Sequence, residues 1–134
     1  MGATRFEIIS RKLIGDDSLY KDIGPYEFIT GRLYYSVDPK HPDSQLITDI
    51  DLIPTNNKGE VEFSSDIQLL KPINMKDDSN LFFDVVNRGN RNVLGFNNAV
   101  HILSDEDPDL GNGFLMKQGT VVVFCGWQTD VPDG

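Results

Sequence analysis

Between residues 61 and 69 the chain alternates with a period of two. Val61, Phe63, Ile67 and Leu69 fall on one parity, and Glu62, Ser64, Asp66 and Gln68 fall on the other. Successive side chains of an extended strand point to opposite faces, so this pattern predicts a strand with one apolar and one wet face. A looser alternation runs through residues 5–13, where Phe6 and Ile8 are set against Glu7 and Arg11, and another through Leu33, Tyr35 and Val37. Turn chemistry separates these stretches: Asp16-Asp17-Ser18, Ile23-Gly24-Pro25, Asp38-Pro39 with His41-Pro42-Asp43, and Pro54 followed by Asn56-Asn57-Lys58-Gly59. A strand over 47–53 and one over 61–70, with Gly59 free to take a positive φ between them, predict a hairpin. Residues 1–72 therefore read as an antiparallel sheet.

Beyond residue 72 the alternation disappears. Residues 81–86 (LFFDVV) and 120–125 (TVVVFC) are nearly continuous apolar runs, the pattern of parallel strands covered on both faces. The interval between them exceeds the dozen or so residues that a parallel crossover needs. Residues 113–118 predict a short helix within it, with Gly119 as its C-terminal cap. Strand, helix and strand imply a right-handed βαβ unit over residues 80–126. The expected class is thus α/β (mixed), with antiparallel strands first and one βαβ unit after them. Residues 1–134 would form a single domain, and an incomplete one. Residues 91–100, with Gly95 and several asparagines, are expected to hold at most a helical turn.

Charge narrows the partners. The 134 residues carry 21 acidic and 12 basic side chains, a net charge of -9, the wrong sign for neutralising phosphates, so nucleic acid is not expected. No apolar run approaches a membrane span or a signal peptide, which predicts a soluble chain without a membrane partner. Phe6 stands where an N-myristoylation motif wants Ser or Thr. One cysteine, Cys125, cannot form an internal disulfide; this favours the cytoplasm without settling the compartment.

Motifs for bound groups fail in detail. Asp105, Asp107 and Asp109 alternate as in a calcium loop, but Gly is missing at the sixth position, Pro108 interrupts, and Met116 stands where a bidentate Glu is needed. His41 and His101 have no partners at zinc spacing. Gly111-Asn112-Gly113 lacks the remaining residues of a dinucleotide fingerprint or a P-loop. No metal and no cofactor are expected.

Three longer runs carry a resemblance: GPYEFITGRLYYSVDPKHP, LFFDVVNRGN and GNGFLMKQGTVVVFCGWQTDVP. Together they resemble the amino-terminal part of a family of α/β hydrolase domain proteins whose members are several times longer. The resemblance spans essentially the whole chain, and its last run is the most specific. It implies that residues 81–86 form the strand before the oxyanion loop and that residues 120–125 form the next strand of the sheet. Asn87, Arg88, Gly89 and Asn90 then occupy the place of that loop, where backbone N–H groups are aimed at a developing negative oxygen. They do so by position, because the His-Gly-Gly-Gly form of many esterases is absent. The nucleophile elbow, G-x-S-x-G, is also absent, as are a following acid and histidine. By this resemblance the chain is the amino-terminal segment of a serine-type hydrolase of ester or related acyl bonds, with no catalytic residue of its own, and the reacting groups would lie beyond residue 134.

Each candidate has a plainer alternative. The 87–90 loop reads equally as a tight turn with Gly89 supplying unusual φ. Arg88 could orient a substrate carboxylate, though pairing with one of the many acidic side chains carries more weight. Trp127, in Gly126-Trp127-Gln128 at the carboxyl end of a parallel strand, could line a pocket or merely cover the sheet end. Cys125 is expected to be a buried, inert thiol. As a whole, the chain reads either as part of a hydrolase whose partner is the remainder of that domain, or as a self-sufficient β-rich binding or assembly module that pairs through an exposed sheet edge. Whether it is itself an enzyme stays open.

Overall fold

The computed structural model describes residues 2–15, 20, 22–100 and 107–127. Among these residues five strands make one sheet: β1 (Gly2–Ile14), β2 (Tyr26–Val37), β3 (Val61–Pro72), β4 (Leu81–Val85) and β5 (Val121–Cys125), in the order β1-β2-β3-β5-β4. The first three run as an antiparallel meander. β5 then inserts between β3 and β4, antiparallel to β3 and parallel to β4. The two short apolar runs therefore differ in their surroundings. β5 is central and its residues 121–124 are buried, whereas β4 is an edge strand on which Leu81, Phe83 and Val85 remain exposed. The expectation that both runs are covered on both faces is met only by β5.

The α/β class and its βαβ unit are overturned. Among the described residues, helix amounts to α1 (Phe114–Lys117), a single turn, and to 3-10 segments at Ser44–Leu46, Ile50–Leu52 and Asn92–Asn97. The chain is mostly β. The sequence between β4 and β5 explains why no packing helix forms there. It contains Gly89, Gly95, Gly111 and Gly113 and a run of asparagines, and Asn98, Gly111 and Gly113 all adopt positive φ. Each such residue interrupts propagation, while a helix recovers its nucleation cost only over many consecutive bonds. What survives is one turn, closed by a Schellman pair: Gly119 N–H donates to Met116 O at 3.0 Å and Thr120 N–H to Leu115 O at 3.2 Å.

A second correction concerns residues 47–53, which form no strand. Asp49 sits at φ 60 between two 3-10 turns, a conformation that breaks an extended run. Ile50 alone turns inward, joining Val37 and Val61 in a small cluster, while Leu46, Ile47, Leu52 and Ile53 stay exposed. β3 takes β2 as its partner instead. The turn before β3 does form: Asn56 Oδ1 accepts from Lys58 and Glu60 N–H at 2.9 and 3.0 Å, with Gly59 at φ 79.

The core lies chiefly on the face opposite the apolar parity of β3. Phe28, Leu70, Val122 and Phe124 line that face and are roofed by Val93, Leu94, Leu110, Leu115 and Met116 from the β4–β5 connection. The parity first recognised in β3 faces a smaller cluster of Ile67, Val121 and Val123, flanked by Leu33 and Leu69. On that second face Glu27 is buried between Lys71 at 2.7 Å and Arg11 at 3.4 Å, so its charge is compensated across three strands. No helix among the described residues is long and apolar enough to cross a membrane.

Candidate functional site

The parallel pair β4 and β5 ends at one side of the sheet, and the candidate residues gather there. Val86 N–H donates to Cys125 O at 3.3 Å, extending the ladder one rung beyond β4. The chain then reverses. Arg88 and Gly89 take φ 51 and φ 81, and Asn90 N–H donates to Asn87 O at 3.0 Å. Positive φ at both central residues with this closing bond defines a type I′ turn. Its tip is reached by Asn87 and Arg88, both exposed, with Gly89 and Asn90 half-buried.

Two groups fix the turn at its base. On the incoming side, the Trp127 indole Nε1–H donates to Val86 O at 2.8 Å. Trp127 thus stands beside the 87–90 turn, joined to it through the last carbonyl before the reversal. On the outgoing side Arg91 is wholly buried. Its Nε donates to Gln68 Oε1 at 2.8 Å, and its guanidinium lies 5.3 Å from the Phe28 ring centre and 5.9 Å from that of Phe124. Stacking on two aromatic faces offsets part of the desolvation of a buried cation. Val93 N–H, two residues on, donates to Asp84 Oδ2 at 3.2 Å.

Farther along the connection, Asn97 joins the 3-10 segment to α1. It is fully buried. Its Oδ1 accepts from Leu115 N–H at 2.9 Å, its Nδ2 lies 3.1 Å from Met116 Sδ, and its carbonyl accepts from Asn112 N–H at 2.7 Å. Arg91 and Asn97 had not emerged from the sequence. A lone Arg or Asn in an Asn- and Gly-rich stretch has the composition of a solvated loop, and only the three-dimensional path reveals burial.

Cys125 is half-buried rather than buried. Its Sγ is 3.9 Å from Tyr35 Oη and 3.8 Å from Ser65 Oγ, on the face opposite the main core. Burial pushes the Tyr35 hydroxyl above its ordinary value, so at neutral pH this group is an uncharged phenol and not an activating base. Two clefts lie elsewhere. One of about 440 Å³ is lined by Thr4, Arg5, Tyr34, Tyr35, Glu62, Phe63 and Ser64. Another of about 220 Å³ lies around Asn74, Lys76, Ser79 and Gln118. Neither includes the 87–90 turn or Trp127.

Among the described residues no three His, Cys, Asp or Glu side chains are grouped as metal ligands. The turn at Asp16-Asp17-Ser18, His101, Asp105 of the acidic loop, Gln128 and the Asp-Val-Pro at 130–132 lie outside the described residues. Comparisons with protein-family models, with curated proteins and with solved structures gave no match.

Proposed function

We propose that this chain is the amino-terminal segment of a serine-type hydrolase of ester or related acyl bonds, supplying sheet strands and one backbone donor loop to a catalytic unit that further sequence completes. The observation that carries the reading is the open β4 edge with the 87–90 turn at its end. Leu81, Phe83 and Val85 are 63, 52 and 56% exposed on a strand that, among the described residues, is paired on one side only. Such an edge invites another strand. A strand added there would run alongside the type I′ turn of residues 87–90. Donors fixed in advance at that place suit a developing oxyanion. The sequence contains no G-x-S-x-G elbow, so in this reading the nucleophile, acid and histidine come from the completing part, and the chain alone turns over no ester.

The same edge, together with the predominance of strand over helix, favours a second reading: a β-rich assembly module that takes up a strand from another chain. Light scattering on the purified chain, paired with hydrolysis of a chromogenic acyl ester, tests the first reading. The expected result is association without turnover, and a return to monomer in Phe83→Lys, which puts a charge on the open edge. Turnover by the clean chain sinks the claim that chemistry comes from elsewhere. A wild-type monomer removes the open edge as its support.

A further inference from the structure

The two faces of the sheet are covered differently. On one, the β4–β5 connection roofs Phe28, Leu70, Val122 and Phe124. On the other, the cluster of Ile67, Val121 and Val123 with Leu33 and Leu69 consists of strand residues alone. Ile50 covers Val37 and Val61 at one end of that face. Elsewhere on it Phe6 and Ile8 of β1, Phe63 of β3, and Leu81, Phe83 and Val85 of β4 are between 41 and 63% exposed. Large apolar side chains about half exposed, six together, present on the order of 500 Å² of apolar surface, the size at which a surface patch is ordinarily functional.

Charge is segregated in the same way. Of the carboxylates on the strands, Glu7, Glu62, Asp66 and Asp84 share the roofed face, and Glu27 lies on the open one. Glu27 is itself buried between two cations, Lys71 at 2.7 Å and Arg11 at 3.4 Å, and Arg11 keeps 55% of its side chain in solvent. A chain of net charge -9 thus carries, on the strands of its open apolar face, one cation in excess.

We infer that this face docks an amphipathic helix of a partner protein, its apolar stripe against the sheet and a carboxylate at Arg11 and Lys71. An occupant here meets no free backbone groups on the inner strands, because β2, β3 and β5 are each paired on both sides. It must satisfy its own, as a helix does and a lone strand does not. A second copy is the wrong match in charge: face against face, it brings the same excess of cations, and its one strand carboxylate there is already buried. The inference stands apart from the proposed function, which concerns the β4 edge and the 87–90 turn.

Two labelled peptides of about four helical turns serve as probes. Both carry leucines at i, i+3, i+4 and i+7; one flanks this stripe with glutamates and the other with lysines. Anisotropy is read in about 0.15 M salt, where exposed charges more than about 8 Å away are screened. The glutamate peptide should bind saturably, gain helical circular dichroism, and bind about two- to fivefold tighter than the lysine peptide. The net charge of the chain favours the opposite order, so this preference reports Arg11 and Lys71. Ile8→Asp, at an exposed position of an edge strand, should weaken binding at least about tenfold. Arg11→Gln should keep binding and lose the preference, which tests the inference even where Ile8→Asp fails to fold. Equal or reversed affinities, or full binding by a folded Ile8→Asp, overturn it. So does self-association of the chain that Ile8→Asp abolishes, because a second copy would then occupy the face.

Discussion

Replacing Asn97 by Ala removes a brace rather than a surface contact. The side-chain oxygen of Asn97 is the acceptor for Leu115 N–H at 2.9 Å, inside a residue with no exposed surface. Orphaning a buried backbone donor costs about 1–3 kcal/mol. The lost carboxamide leaves a space of roughly one water volume, ~30 Å³, which at about 24 cal/mol per Å³ adds ~0.7 kcal/mol. Asn97→Ala should therefore lose about 2–4 kcal/mol in urea unfolding followed by circular dichroism, with an unchanged slope. For a chain of this size the midpoint temperature falls by roughly 6–15 °C. A water entering the space and bonding to Leu115 N–H would bring the loss to the lower bound. Asn97→Asp separates the terms, because it keeps the acceptor but buries a carboxyl whose folded pKa is raised by desolvation. The favourable protonated form is fully present below the ordinary value near 4 and is lost as pH rises through the folded one, so its deficit relative to wild type should grow from pH 4 to pH 7. A loss below about 1 kcal/mol for Asn97→Ala would refute the brace.

Gly111 should tolerate no side chain: a Cβ there would lie 2.1 Å from Asn97 O and 2.9 Å from Ala99 N, at φ +49, so Gly111→Ala is expected to destabilise by about 2 kcal/mol or more in the same urea assay. Burial pushes the Tyr26 hydroxyl well above its ordinary value, while that group donates to Thr120 O at 3.0 Å. Its contribution is complete below pH ~10 and is lost as pH rises from there toward the folded pKa, so urea midpoints should fall as pH is raised above about 10 and fall less in Tyr26→Phe. Ile50→Ala, which empties the small cluster with Val37 and Val61, should cost about 2 kcal/mol and expose residues 44–53 to limited proteolysis before the sheet unfolds.

Legibility in the sequence followed the range of the interactions responsible. β1, β2 and β3 could be read because alternation and turn chemistry act over a few residues, as the Asn56 side chain shows by closing its own turn through Lys58 and Glu60 N–H. The aliphatic residues 46–53 misled because their composition suits a strand, yet Asp49 takes a positive φ between two 3-10 turns and β3 pairs with β2 along its whole length instead. The apolar run of β4 looked like that of β5 since hydrophobicity records tolerance of burial, not its presence, and only the sheet order separates an edge strand from a central one. The plainer reading of residues 87–90 as a tight turn, with positive φ at Gly89, followed from residue type. The positive φ of Arg88 has no signature in its residue type, and the inward indole of Trp127 and the burial of Arg91 depend on partners 41 and 23 residues away.

The insertion of β5 between β3 and β4 also sets an order of events during synthesis. β2 and β3 each pair with the strand immediately before them in the chain, so the meander can close as soon as residue 72 emerges. β4 cannot: its partner among these strands, β5, begins at Val121, so residues 81–85 wait some forty residues before any rung forms. At about 5–20 residues per second of elongation, that interval lasts seconds. Throughout it the sequence LFFDV is a β-prone apolar segment without a strand partner, and a holding chaperone that binds such segments should engage the nascent chain in this window and leave it once β5 has emerged.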